Sequence, residues 1–238
     1  MNGFLYGAAL QWKLDLRSRT MLITCYAVPL LFFAVMGGIF IAVMPESSET
    51  LIQSMSVFTV TMGALIGLPP SLTEIYRSDV KNVYQANGVP LSLGLFLTNI
   101  SAFVHLLIMS FILYVIAPVA FDAKIPAHPA AYFVGLITLI AVSLSIASVI
   151  GLAVKDTANT SMFSILLFLP STMLSGIMFP SDMLPKAFVM VGKLFPATWG
   201  YAFMTESNFA WHNLWPLLII FIAAALICAI LLKKIETR

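Results

Sequence analysis

The sequence has 238 residues, of which 61% are hydrophobic and 9% charged, and its mean hydropathy is +1.00. Soluble globular domains are about 45–50% apolar and about 25% charged, so this composition excludes an ordinary water-soluble enzyme and indicates a membrane protein. The net charge of +2 gives no reason to expect a nucleic-acid partner.

The segment before the first long apolar stretch predicts an amphipathic helix within residues 1–19. Its apolar residues fall on one side at helical spacing: Leu5, Ala8, Ala9, Trp12 and Leu16. We expect this helix to lie in the inner membrane interface, with Lys13 and Arg17 toward anionic headgroups and Trp12 at the interface. A frayed cytoplasmic start is the alternative.

Apolar stretches between short clusters of charge predict the membrane spans. A spanning helix needs about 20 predominantly apolar residues, and the turn signal Asn87-Gly88-Val89-Pro90 places the start of the third span near Leu91. We predict an all-α membrane protein with a single transmembrane domain over residues 1–238. Its six spans are predicted at residues 21–44, 51–73, 91–117, 131–153, 159–179 and 212–232.

The distribution of basic residues predicts the topology. With the N-terminus inside, the cytoplasmic segments hold nine Lys and Arg residues, and the outer segments hold only Lys124, Lys186 and Lys193. Cytoplasmic loops carry the excess of basic residues in membrane proteins. Both termini are therefore predicted to be cytoplasmic.

The charged segment between the second and third spans, residues 74–90, predicts a short cytoplasmic helix that ends near Gly88 and Pro90. Four apolar residues can share one face of it: Ile75, Val80, Val83 and Tyr84. We expect this helix to dock on a partner, and a solvated connector is the alternative. The candidate contacts are Glu74, Tyr76, Arg77, Asp79, Lys81, Val83 and Tyr84.

The segment at residues 180–210 is too apolar for a free external loop and too broken by proline for a seventh span. Ser181 or Asp182 is predicted to cap a short helix that begins near Pro185, and Pro196 to open a second one. We interpret the pair as an external re-entrant hairpin that dips into or lies on the outer leaflet. The candidate residues of an outer gate are Pro180, Pro185, Pro196 and Trp199.

Several kinds of chemistry are missing from the predicted spans. They hold no acidic or basic residue at membrane depth, whereas ion-coupled transporters usually need such groups. His105 is the only histidine well inside a span, and a packed or hydrogen-bonded structural role is favoured for it. The chain contains no phosphate-binding G-x-x-x-x-G-K-[ST] motif. We therefore predict that it is not an enzyme and that energy for uphill transport comes from another polypeptide.

Two patterns of small residues and one set of adaptable side chains occur within the spans. Gly63 and Gly67 form a GxxxG motif, and Ser143, Ala147 and Gly151 repeat small residues every four positions, which serves packing within one chain or between chains. Five side chains could line a substrate path, although a core or lipid-facing position is the simpler interpretation for each: Met55, Phe58, Met62, Phe168 and Met173.

The order of these elements resembles the permease subunits of ABC-2 type (type V) ABC transporters over essentially the whole chain. Glu74 to Pro90 resembles the coupling helix of that family. Met178-Phe179-Pro180 through Pro196-Ala197-Thr198-Trp199-Gly200-Tyr201 resembles its re-entrant segment and the run before the last span. The family often has a denser Arg/Glu pattern with an early glycine in the coupling helix, where Tyr76-Arg77-Ser78-Asp79 stands here.

The resemblance implies an exporter built from two six-span subunits, identical or related, and two cytosolic ABC ATPase subunits. It implies that the ATPase subunits bind ATP and Mg and that this chain binds no cofactor. The substrate would be an amphipathic drug, an antimicrobial peptide or a lipid-like compound, moved outward across a bacterial plasma membrane. A secondary transporter, or a membrane scaffold or integral enzyme without an ATPase partner, is the alternative.

Overall fold

The computed structural model describes residues 3–77, 84, 86, 88, 90–206 and 210–236, and all regular structure in that part of the chain is helical. The helices are α1 Gly3–Arg17, α2 Arg19–Val43, α3 Leu51–Arg77, α4 Leu91–Phe121, α5 Pro129–Ala153, α6 Thr157–Met173, α7 Lys186–Gly192, α8 Pro196–Thr205 and α9 Trp211–Glu236. Short 3₁₀ turns occupy Pro45–Glu49 and Ser181–Met183.

Five helices among the described residues are long and apolar enough to cross a membrane, namely α2, α3, α4, α5 and α9. They contain between 25 and 31 residues. At 1.5 Å per residue, even the shortest exceeds the roughly 30 Å of a hydrocarbon core. These helices coincide with the first four predicted spans and the last one, so the chain is an all-helical, multi-pass membrane protein.

The fifth predicted span differs from the structure. Its helix, α6, has 17 residues and ends at Met173 rather than at residue 179. It begins at an N-cap, where the Asp156 carboxylate accepts a hydrogen bond of 2.8 Å from the Asn159 amide. Beyond its end, Gly176 has a φ of +87°, a left-handed conformation that suits glycine and cannot continue an α-helix. A sixth span through α6 stays a prediction.

Helix α3 lies at the centre of the bundle. In its most apolar window, 94% of the residues are buried, because α4, α5, α6 and α8 pack around it. Its buried hydroxyls bond to neighbouring helices: Ser56 Oγ lies 2.7 Å from Tyr132 Oη, and Thr73 Oγ1 lies 2.9 Å from Thr160 Oγ1. The helix that ends at the predicted coupling segment is therefore also the core of the fold.

Helices α2 and α3 each contain a π-helical turn, at Ile23–Ala27 and Gly63–Gly67, and the two turns pack against each other. A Cβ atom added at Gly63 would overlap Leu106 and lie 3.4 Å from the Cys25 sulfur. A Cβ at Gly67 would lie 3.0 Å from Thr24 Oγ1. The GxxxG motif thus brings two helices of the same chain together.

The second small-residue pattern also serves packing inside the chain. Ser143, Ala147 and Gly151 are all buried. A Cβ at Gly151 would lie 2.7 Å from Leu72 Cβ and 2.9 Å from the backbone oxygen of Pro69, so only glycine lets α5 approach α3 this closely.

Contacts between connections define the end of the bundle that was predicted to face outward. Lys124 Nζ lies 2.6 Å from Glu49 Oε1, and the Lys124 amide donates a hydrogen bond of 2.9 Å to the Ser48 carbonyl. The Lys124 hydrogen bond lowers the pKa of the Glu49 carboxyl below its ordinary value. These contacts join the α2–α3 connection to the α4–α5 connection.

Candidate coupling surface and outer cavity

Two side chains at the end of α3 fix the predicted coupling segment to the rest of the protein. The hydroxyl of Tyr76, which is 1% exposed, donates a hydrogen bond of 2.6 Å to the Leu91 carbonyl at the start of α4. Arg77 Nη2 donates a bond of 2.7 Å to the Leu152 carbonyl, and its Nε donates one of 3.3 Å to the Val154 carbonyl. The end of α3 is therefore attached to both α4 and α5.

The bonds of Arg77 assign it a structural contact that its sequence pattern did not predict. Carbonyls at the C-terminus of a helix lack partners inside that helix and carry partial negative charge, which a guanidinium satisfies. The contact of Arg77 with a partner protein stays a prediction. In the structure this exposed residue donates to carbonyls at the end of α5.

The remaining predicted coupling residues occupy different environments. Glu74 is exposed. Tyr84 is half-buried, and its ring stands over Gly94, where an added Cβ would lie 2.9 Å from Tyr84 Cε2 and 3.4 Å from Tyr76 Oη. The two tyrosines thus meet at Gly94, one turn into α4. The other predicted contacts lie outside the described residues: Asp79, Lys81 and Val83.

Helix α1 packs on α4, and two residues of its predicted apolar side, Ala8 and Trp12, are half-buried. Trp12 stacks on His105 with ring centroids 4.2 Å apart, and Gly7 lies against Leu97. Gln11 and Asp15 share the Trp12 side, whereas Lys13 and Arg17 are exposed. Two residues of the predicted apolar side are exposed, Ala9 and Leu16. Three further large side chains of α1 are also exposed: Tyr6, Leu10 and Leu14.

Both short helices predicted in the external segment form, and each begins at a predicted proline. Pro185 precedes α7, and Pro196 is the first residue of α8, where a proline costs no hydrogen bond. The turn between them is fastened from α8: Thr198 Oγ1 donates to the Gly192 carbonyl at 2.6 Å, and Trp199 Nε1 donates to the Lys193 carbonyl at 2.7 Å.

The two short helices differ in how deeply they are packed. Pro180 and Pro185 are exposed, Trp199 is half-buried and Pro196 is buried. Helix α8 lies against α5, where Gly200 contacts Leu139 and where a Cβ on Gly135 would lie 2.7 Å from Phe203.

A cavity of about 700 Å³ lies between α2, the start of α3 and the external segment. Its walls combine apolar side chains with hydroxyls, and they include one acid, Glu46, and one base, Lys193. Of the predicted gate residues, Pro180 lines the cavity, and Thr198, the sequence neighbour of Trp199, lines it as well. The lining residues that carry hydroxyls are Ser47, Thr50, Ser54, Ser175, Ser181, Thr198, Tyr201 and Thr205.

Residues considered for a substrate path belong mostly to the core of this chain. Met55, Phe58, Met62 and Phe168 are all less than 10% exposed, and Phe58 stacks on Phe32 with centroids 3.7 Å apart. Met173, at the end of α6, is 49% exposed. The cavity beside the external segment, rather than these side chains, is the open space near the predicted gate.

The comparisons with known proteins agree with this architecture. The family model for ABC-2 type transporters matches residues 4–209. That range runs from α1 through the segment at 180–206 and includes both the end of α3 and the residues that line the cavity of about 700 Å³. A search of curated proteins finds no match. The match covers most of the chain, and the protein belongs to the ABC-2 type transporter family.

Proposed function

We propose that this chain is the membrane-spanning permease subunit of an ATP-driven exporter, and that it moves an amphipathic substrate outward across a bacterial plasma membrane. The observation that supports this most strongly is the family match over residues 4–209, together with the five helices able to cross a membrane among the described residues. The complete transporter would hold a second permease subunit and two cytosolic ABC ATPase subunits. Those ATPase subunits would bind ATP and Mg.

The bonds at the end of α3 support a route for mechanical coupling. In this proposal the ATPase subunits dock on the segment at 74–90 and move it when they close on ATP. Tyr76 passes that movement to α4 through the Leu91 carbonyl, and Arg77 passes it to α5 through the Leu152 carbonyl. These two contacts support a coupling of the end of α3 to both helices.

The paired π turns are the positions at which we propose that α2 and α3 bend during transport. A π turn inserts an extra residue into a helical turn, and such turns recur at functional sites. The turns at Ile23–Ala27 and Gly63–Gly67 pack against each other, so a change in the backbone conformation of one would alter the packing of the other. Movement of α3 at this point would widen the outer cavity, from which substrate leaves past Pro180, Pro185, Pro196 and Trp199.

A pull-down from native membranes tests the proposal. The tagged permease is purified in mild detergent, and co-purifying proteins are identified by mass spectrometry. We expect an ABC ATPase to co-purify, and we expect a Gly-Ser replacement of residues 76–84 to release it while the permease still inserts. A Gly-Ser replacement of residues 181–184, at the opposite end, is the matched control and should retain the ATPase. Absence of any ATPase from the wild-type sample would contradict the proposal.

A further inference from the structure

A groove of about 450 Å³ lies between α4, α5 and α9. Helix α5 forms its floor and packs on both of the other helices, whereas α4 and α9 make little contact with each other. The space exists because small side chains line it, namely Ala141 and Ser145 on α5 and Ala225 and Ala229 on α9. The groove is separate from the cavity beside the external segment.

The groove has the length of one membrane leaflet. Its α4 wall extends from Ser92 to Phe103, which is about 16 Å at about 1.5 Å per residue. The α9 wall, from Phe221 to Leu232, is equally long. A hydrocarbon core is roughly 30 Å thick, so each leaflet contributes roughly 15 Å. Because α4 begins and α9 ends beside Ser92 and Leu232, this end of the groove, its mouth, lies at the membrane surface nearest the segment at 74–90.

Three polar side chains of the groove are bonded within the protein. Asn99 Nδ2 donates to the Leu95 carbonyl at 2.8 Å and to Ser148 Oγ at 3.0 Å, and Ser148 Oγ donates to Asn99 Oδ1 at 3.1 Å. Ser145 Oγ donates to the Ala141 carbonyl at 2.8 Å. Water needs several polar partners to occupy a cavity, whereas apolar cavities stay dry and accept apolar ligands. The groove therefore suits a hydrocarbon chain.

Basic side chains lie at the same end of the bundle as the mouth. Lys233 and Lys234 are in the last turn of α9 and are exposed, and Lys155 is exposed just after the end of α5. Two acidic residues also lie at this end, the exposed Glu236 and Asp156, whose carboxylate is engaged as the N-cap of α6. Basic residues beside a membrane surface attract anionic lipid headgroups.

We propose that this groove binds one acyl chain of an anionic phospholipid from the leaflet nearest the segment at 74–90, with the lipid headgroup beside Lys233 and Lys234. The bound chain fills the space between α4 and α9 and joins these two helices. This site needs no ATPase partner, so it does not depend on the proposed transport activity.

The size of the groove favours a lipid chain over a second copy of the protein. A helix with its side chains is about 10–12 Å wide, so 16 Å of helix fills more than about 1,000 Å³. That is over twice the volume of the groove. A single hydrocarbon chain is narrower than a helix and as long as the groove.

Native mass spectrometry of the purified permease tests the proposal. The permease is stripped of lipid in detergent and then incubated with phosphatidylglycerol or with phosphatidylcholine that carries the same acyl chains. We expect one firmly held phosphatidylglycerol per permease chain and weaker binding of phosphatidylcholine. Changing Lys233 and Lys234 together to glutamine should reduce this preference by roughly fivefold for each lysine.

A matched pair of substitutions on α9 tests the position of the acyl chain. Ala225→Trp places an indole in the groove and should abolish retention of phosphatidylglycerol. Ala223 is exposed on the same helix but lies outside the groove, so Ala223→Trp should bind lipid as the wild type does. Ala229→Trp, one turn further along the groove, provides the same test if Ala225→Trp does not insert.

Four results would overturn the proposal. The first is a wild-type permease that retains no phosphatidylglycerol, and the second is equal retention by Ala225→Trp or Ala229→Trp and the wild type. The third is binding of phosphatidylglycerol and phosphatidylcholine with the same affinity. The fourth is an Ala225→Trp variant that turns a dimeric permease into monomers, because the groove would then be an interface between copies of the chain.

Discussion

Removing one hydroxyl at the end of α3 tests the proposed coupling route with a minimal change. Tyr76→Phe keeps the buried ring and deletes only the oxygen that donates to the Leu91 carbonyl at 2.6 Å. The end of α3 then contacts α4 through apolar surface alone. We expect the permease to fold and insert normally, but we expect movement of the segment at 74–90 to be transmitted less efficiently to α4.

The size of the effect follows from the contact. A hydrogen bond of this kind contributes about 1 kcal/mol net, which corresponds to roughly a fivefold change in the equilibrium between attached and detached states. No cavity forms, because the ring remains. Tyr76→Ala removes the ring as well, and truncating a fully buried aromatic side chain costs about 3–5 kcal/mol. We therefore expect a small fall in thermal midpoint for Tyr76→Phe and a large one for Tyr76→Ala.

The assay compares thermal unfolding with the ability of each variant to stimulate the partner ATPase. Tyr6→Phe is the matched control, because Tyr6 is 58% exposed on α1 and should tolerate the loss of its hydroxyl. Tyr76→Phe should lower stimulation several-fold at equal expression, whereas Tyr6→Phe should not. Normal stimulation and an unchanged midpoint in Tyr76→Phe would refute the claim that this bond transmits movement.

Two further predictions concern packing and charge. Gly151→Ala places a methyl group against the backbone of α3, so it should lower the free energy of unfolding by about 1–3 kcal/mol, as overpacking does, and lower the thermal midpoint with it. Gly38→Ala is the control, because its added methyl group meets no atom closer than 3.9 Å and should leave the midpoint unchanged. Lys124→Gln removes the main cause of the lowered pKa of Glu49. The ion pair stabilises the fold only while Glu49 is ionised, so the small difference between wild type and Lys124→Gln should disappear as the pH falls through that lowered pKa. A midpoint difference that persists after the pH has fallen through that lowered pKa would contradict this assignment.

The long elements could be predicted because hydropathy and proline act locally. Stretches of uncharged residues predicted five of the helices, and the fixed φ of proline predicted the starts of α7 and α8 at Pro185 and Pro196. The end of α6 was harder. Its apolar sequence continues past Met173, and only Gly176 indicates that the backbone turns before residue 179.

The candidate site could be predicted only in part, because its key contacts join residues far apart in the chain. The sequence predicts Arg77 as a contact to a partner protein. Its neighbours in the sequence give no sign that the carbonyls of Leu152 and Val154 lie beside it. The packing of α1 on α4 could not be predicted for a related reason, because nothing local in the sequence shows which helix it contacts. Its half-buried side carries Trp12 and Asp15, whereas Leu10, Leu14 and Leu16 are exposed.

ATP hydrolysis measured with and without the co-purified ATPase tests the central claim most directly. The permease alone in nanodiscs should show no hydrolysis, and activity should appear only when the ATPase subunit is added. Adding permease should raise the rate of the ATPase, and a permease with a Gly-Ser replacement of residues 76–84 should not. Robust turnover by the permease alone, or an ATPase whose rate and binding are indifferent to the permease, would contradict the assignment of this chain as the membrane subunit of an ATP-driven transporter.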